Sequence, residues 1–84
     1  MQHIDKENIK KLAHKVKKLR EEQSQSLNKF ALTKGDITSA TLSRLENGIN
    51  DCKLSTLLRI SHMLGIKIDE LLKDIDFDYN FIEE

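Results

Sequence analysis

Residues 38–48 read TSATLSRLENG, and their side chains define what chemistry this stretch can do. On a helix, Leu42 and Leu45, with Ile49 just beyond, fall on one side. Ala40 falls almost opposite, and Ser43, Arg44 and Asn47 lie well outside the apolar side. Hydroxyls, an amide and a guanidinium hydrogen-bond and carry charge. Nothing in the stretch pairs a nucleophile with a base or gathers metal ligands. It is equipped for recognition rather than for making or breaking bonds.

Catalysis finds no foothold elsewhere in the chain. There is no Ser/His/Asp or Cys/His constellation, no glycine-rich phosphate cradle and no paired carboxylates in a credible pocket, so no enzyme is expected. Asp76 and Asp78 stand one residue apart in a presumptive tail and read as solubilising. Cys52 is the single cysteine, which leaves no intrachain disulfide. A lone cysteine in a reducing compartment is ordinarily a small hydrophobe, and a redox sensor is the rarer alternative. His3, His14 and His62 are far apart in sequence, so neither a metal nor a cofactor is expected.

The elements that must position TSATLSRLENG follow from apolar periodicity. Eighty-four residues make one domain, and a composition of 38% apolar and 5% aromatic residues with no proline suits an all-α fold. Ile9, Leu12, Ala13, Val16 and Leu19 form a stripe at spacings of three and four, predicting a first helix from Asp5, as N-cap, to about Glu22. Arg20 falls at the edge of that stripe, where an arginine needs a buried acidic partner. Lys10, Lys11, Lys17 and Lys18 point away from it.

Ser26 is the expected cap of a short second helix carrying Leu27, Phe30 and Ala31 inward and ending near Gly35. Thr38 or Ser39 caps the third helix, whose buried face is expected to be Leu42, Leu45 and Ile49, with Glu46 on its flank. Leu54, Leu57, Leu58, Ile60, Ser61 and Leu64 spread over a wide arc and predict a central fourth helix, closed by Gly65. Ile68, Leu71 and Leu72 supply a fifth. Thereafter Ile75, Phe77, Tyr79 and Phe81 alternate with polar residues, the period of a strand with one apolar face. The expected organisation is a helical domain over 1–74 and an acidic, aromatic tail over 75–84. Two helices, 26–34 and 38–47, joined by a tight glycine-containing turn are the layout of a helix-turn-helix.

Net charge is zero, but its distribution is not even. Residues 1–65 hold twelve Lys/Arg against seven Asp/Glu, whereas 66–84 hold two against seven. A basic body with an acidic tail fits a polyanion partner at one end, although lysines on the first helix also serve solubility alone. No apolar stretch reaches the length of a membrane span, and MQHIDKEN is followed by no apolar run, so a cytoplasmic protein is expected.

VKKLREE at 16–22, FA at 30–31, TSATLSRLENG at 38–48 and LSTLLRISHMLGIKIDELL at 54–72 carry a family resemblance. The chain resembles the Cro/phage-repressor-type (XRE) helix-turn-helix regulators over roughly residues 9–72. The resemblance implies a five-helix, lambda-repressor-like fold that binds double-stranded DNA. It implies that Arg20 and Glu46 form a buried salt bridge between the first and third helices. Ser39, Ala40 and Arg44 match base-reading positions. Thr38, Asn47, Lys53 and Ser26 match positions that meet phosphates. Leu27 stands where the family often carries a DNA-touching glutamine, and polar Gln25 where an apolar residue is usual.

On that footing the outward face of the third helix has a purpose. Small residues let its backbone approach base edges, and an arginine makes the strongest specific contact, bidentate to guanine O6 and N7. Arg44 is the expected main reader, with Ser39, Ala40 and Thr41 shaping the fit and Ser43 on the phosphate side. Without the resemblance the same face would read equally well as solvated surface.

One short helix reads too little sequence, so a homodimer on a palindrome-like operator is expected. Ile75, Phe77, Tyr79 and Phe81 are the candidate dimerisation residues, through an intermolecular strand pair. A tail folded back on its own domain, or disordered, is the alternative. Rival functions are an antitoxin that grips a toxin through its tail, and a protein-interaction module that has lost DNA binding.

Overall fold

In the computed structural model, which describes residues 2–23, 26–49 and 51–81, the chain forms five α-helices. They are α1 (His3–Glu22), α2 (Leu27–Lys34), α3 (Ser39–Glu46), α4 (Leu54–Leu64) and α5 (Ile68–Leu72). The fold is the all-α, five-helix, lambda-repressor-like arrangement. No helix among the described residues is long and apolar enough to cross a membrane.

Helix α1 begins earlier than Asp5. Gln2 is the cap, and its carbonyl accepts from the N–H groups of Asp5 and Lys6 at 3.1 and 3.3 Å. Ile4 is buried, so starting the helix at His3 extends the apolar stripe by one turn. Asp5 stays in the first turn, where a carboxylate favours the helix dipole. From there α1 packs on α3, α4 and α5, while α2 packs on α3. Leu12, Val16, Phe30, Leu42, Ile60 and Leu71 meet in the core, with Leu19, Leu27 and Ile37 against them.

The capping expectations on α2 and α3 are met by local chemistry. Ser26 Oγ accepts from the Lys29 N–H at 3.2 Å, and Thr38, rather than Ser39, caps α3 by accepting from the Thr41 N–H at 3.2 Å. Gly35 closes α2 with φ +76°, a left-handed conformation that costs a residue with a Cβ. Gly48 ends α3 with φ +64°, and a Cβ there would come within 3.3 Å of Lys10 Cγ, so α1 and the α3 terminus approach closely.

Three further expectations are corrected. Ile49 is not part of the buried face of α3, being 63% exposed just after Gly48 turns the chain away. Helix α4 is not buried over its whole apolar arc: Leu54 is 64% exposed and Leu58, one turn on, is exposed too. It packs on α1 and α5, which bury Ile60, Ser61, Met63 and Leu64 and leave the opposite side open. Buried Ser61 resolves its polarity by donating its hydroxyl to the Leu58 carbonyl at 2.8 Å.

The third correction concerns the tail. Among the described residues no strand forms, and Ile75, Phe77, Tyr79 and Phe81 lie on an irregular segment. After α5 the chain turns at Asp74 and runs back over α1. Ile75 and Phe77 pack against the molecule's own core, whereas Tyr79 and Phe81 are 77% and 53% exposed. Only the first half of the alternation is used, Ile75 and Phe77 reaching the core, and no hydrogen-bonded ladder forms among the described residues. Residues 82–84 of the expected tail and Gln25 before α2 lie outside the described residues.

Candidate nucleic-acid interface

Helix α3 presents Ser39, Ala40, Thr41 and Arg44 to solvent, because Leu42 and Leu45 take the core side. Its orientation is held from behind. Arg20 Nε donates to Glu46 Oε2 at 2.7 Å and Arg20 Nη2 to Glu46 Oε1 at 2.8 Å, a two-pronged pair. Both side chains are nearly buried, at 8% and 4% exposure. The hydrogen bond to Glu46 and its charge hold the guanidinium pKa above its ordinary value, against the opposing pull of burial. Arg20 is therefore committed to architecture.

Arg44 is the opposite case. It is exposed, and among the described residues its side chain has no hydrogen bond or ion pair. It lines one groove with Thr41 of α3 and with Lys53 and Thr56 at the start of α4. Asp51 lines the same groove, a feature the sequence reading did not single out. Its carboxylate accepts from the Cys52 N–H at 2.7 Å, which ties it to the loop but leaves a negative charge beside two cations. Cys52 is half-buried against the core, and burial with the neighbouring Asp51 charge pushes its thiol pKa up. That is the reverse of a reactive thiolate.

The expected phosphate-contacting residues differ in what they have free to offer. Ser26 is exposed at the start of α2, and its hydroxyl accepts from the helix while keeping its own hydrogen to donate. Lys53 is exposed. Thr38 donates its hydroxyl hydrogen to Thr41 Oγ1 at 3.0 Å, so meeting a phosphate as a donor requires trading that bond. Asn47 folds back: its Nδ2 donates to the Ser43 carbonyl at 2.9 Å and to Ser43 Oγ at 3.4 Å. Its amide hydrogens and the half-buried Ser43 hydroxyl are thus drawn into closing α3. Lys10, facing the α3 terminus, lies 3.7 Å from Glu7.

The turn between α2 and α3 has an anchor that sequence reasoning missed. Asp36 Oδ2 lies 2.6 Å from His62 Nδ1 on the last turn of α4. No local pattern announces a contact between residues so far apart. His62 is otherwise exposed, and no group of three or more His, Cys, Asp or Glu among the described residues could hold a metal ion.

The geometry is that of two short helices in a fixed relation, the second held by a buried ion pair and presenting small side chains and one uncommitted arginine. A helix-turn-helix family model matches residues 16–71, spanning α2 and α3 and all the residues just described except Glu7 and Lys10. No curated protein and no solved structure matches the chain. The chain belongs to the Cro/phage-repressor-type (XRE) helix-turn-helix family of DNA-binding regulators.

Proposed function

We propose that this regulator reads a specific, palindrome-like operator as a homodimer, with α3 in the major groove and Arg44 as the principal base reader. The observation that carries the reading is the contrast between two arginines. Arg20 is buried and fully engaged with Glu46, whereas Arg44 is exposed and uncommitted on the helix that this pair orients. Arg44 would pair bidentately with guanine, a contact that discriminates by ~1–3 kcal/mol. Ser39, Ala40 and Thr41 would lie against neighbouring base edges. Ser26 and Lys53 would make the main phosphate contacts, with Thr38, Ser43 and Asn47 contributing after exchanging their intrahelical bonds. Dimerisation would use the tail, and the acidic end of the chain would face away from the DNA, in the cytoplasm where such a regulator works.

The test is selection of DNA sequences by wild type and Arg44→Ala at two salt concentrations. The expected result is a palindromic motif whose guanine preference disappears in the variant. An unchanged motif would remove Arg44 from the reading role.

A second reading has one observation in its favour. Tyr79 and Phe81 meet edge to face, with ring centroids 6.2 Å apart, and both rings are exposed. An antitoxin or protein-interaction module would use such a pair to grip a protein partner. Failure to bind DNA even at low salt, together with co-purification of a partner lost on Tyr79→Ala, would establish it.

A further inference from the structure

The groove that holds Arg44 contains one charge of the wrong sign for a DNA backbone. Helix α3 contributes Thr41 and Arg44, the start of α4 contributes Lys53 and Thr56, and the loop between them contributes Asp51. Two cations and two hydroxyls attract a phosphate, whereas a carboxylate repels one. Asp51 is exposed, and among the described residues its carboxylate forms no ion pair with either cation. Its charge therefore stands unneutralised beside them.

That charge is also fixed in place. The Asp51 carboxylate accepts from the Cys52 N–H at 2.7 Å, and Cys52 is half-buried against the core. Arg44, by contrast, sits on a long stem and can reach either of two targets on DNA. One is a phosphate, which is charged and present at every sequence. The other is the guanine edge, whose O6 and N7 are neutral acceptors. A fixed negative charge beside Arg44 opposes the first far more than the second. Discrimination is a difference of affinities, and repelling the wrong target raises it as surely as attracting the right one.

We infer that Asp51 is a specificity-determining residue, whose charge opposes phosphate in this groove and so turns Arg44 from the DNA backbone to the base edge. It acts through Arg44 and Lys53 without itself meeting a base. The inference rests on the regulator reading above and adds what keeps such a regulator off other DNA. Asp51 has a structural task to be told apart from this one. Helix α4 starts at Lys53 with no side-chain cap, and a nearby carboxylate complements the positive end of a helix.

The test uses full-length wild type, Asp51→Asn and Asp51→Glu. Each is titrated with the duplex that wild type selects and with a scrambled duplex, at two salt concentrations, and its thermal unfolding is recorded. Asparagine keeps an oxygen for the Cys52 N–H and loses only the charge. Asp51→Asn is expected to bind the scrambled duplex about fivefold tighter at low salt, and the selected duplex no more than about twofold tighter. The gain should shrink at the higher salt, and Asp51→Glu should keep the wild-type ratio. Equal gains on both duplexes, or no gain on the scrambled one, would overturn the inference. A lower melting temperature with an unchanged ratio would also overturn it, leaving Asp51 as a support for α4. Motif selection by wild type with either of those outcomes would leave the regulator reading intact. Wild type that binds every duplex alike would overturn both.

Discussion

Arg20 and Glu46 stand 26 residues apart in sequence and meet in a two-pronged, nearly buried ion pair that ties the end of α1 to the last turn of α3. Burying two charges is expensive, and the cost is recovered only when geometry satisfies both partners. Here each carboxylate oxygen receives one guanidinium N–H. The pair sets where α3 stands relative to the first helix, so its consequence is for orientation as much as stability.

Removing one partner should be far worse than removing both. Glu46→Ala strands a buried guanidinium, and a loss of about 3–5 kcal/mol is expected in urea denaturation. The double change Arg20→Met with Glu46→Leu should recover most of it, because no unpaired charge remains. Arg20 holds its proton more tightly in the folded state, so its contribution is lost only as pH rises beyond the ordinary arginine range. Recovery in the double variant should therefore look the same at pH 6 and pH 9.

Arg44 and Lys53 should fail in different ways. Arg44→Ala should leave stability within about 0.5 kcal/mol of wild type, since the side chain is exposed, while costing ~1–3 kcal/mol at one guanine position. Arg44→Lys should not restore the preference, because an ammonium lacks the planar two-pronged donor. Lys53→Ala should weaken binding to all sequences alike and lower the salt slope by about one. Titrations on specific and scrambled duplexes separate the two patterns.

The glycines ending α2 and α3 are a matched pair for substitution. Both have positive φ, but a Cβ at Gly35 meets open space and one at Gly48 meets Lys10 at 3.3 Å. Gly35→Ala should cost roughly 1 kcal/mol from the backbone alone. Gly48→Ala should cost more, because α1 must give way as well. Equal melting temperatures for the two variants would contradict the close approach.

Cys52 gives a pH signature. Burial, reinforced by Asp51, raises its thiol pKa above the ordinary 9.0, so the folded state keeps a proton that the unfolded chain gives up earlier. Its contribution is fully present below about pH 9 and declines as pH rises through the folded value. Wild type should lose stability in that alkaline window, and Cys52→Ala should lose less. Alkylation of native protein at pH 8 should be slower than that of a denatured sample.

Local order was readable wherever the deciding partner lies within one helical turn. Ser26 and Thr38 satisfy N–H groups three residues ahead, and Gly35 and Gly65 relax the backbone at the end of a helix, so these boundaries follow from residue type alone. The inward residues Val16, Phe30 and Leu42 were legible for the same reason, since a 3.6-residue period fixes a face. On α3, the exposure of Ser39, Ala40 and Arg44 follows from Leu42 and Leu45 facing in.

Tertiary structure decided whatever depends on what arrives from far along the chain. Periodicity marks Leu54, Leu58 and Ile49 as apolar, but burial needs a covering element, and α1 and α5 lie on the other side of α4. The alternation of Ile75, Phe77, Tyr79 and Phe81 fits a strand only if another strand supplies its hydrogen bonds. Here Asn8 and Lys11 of α1 bond its main chain instead, and the segment becomes a strap. Asp36 meets His62 because the closing of the helices brings those groups within reach. The sequence by itself determined the five helices, the serine cap of α2 and the glycines that close α2 and α4, since those are settled within a few residues. Only the packed chain decided which apolar faces found cover and which polar side chains stayed free to bind.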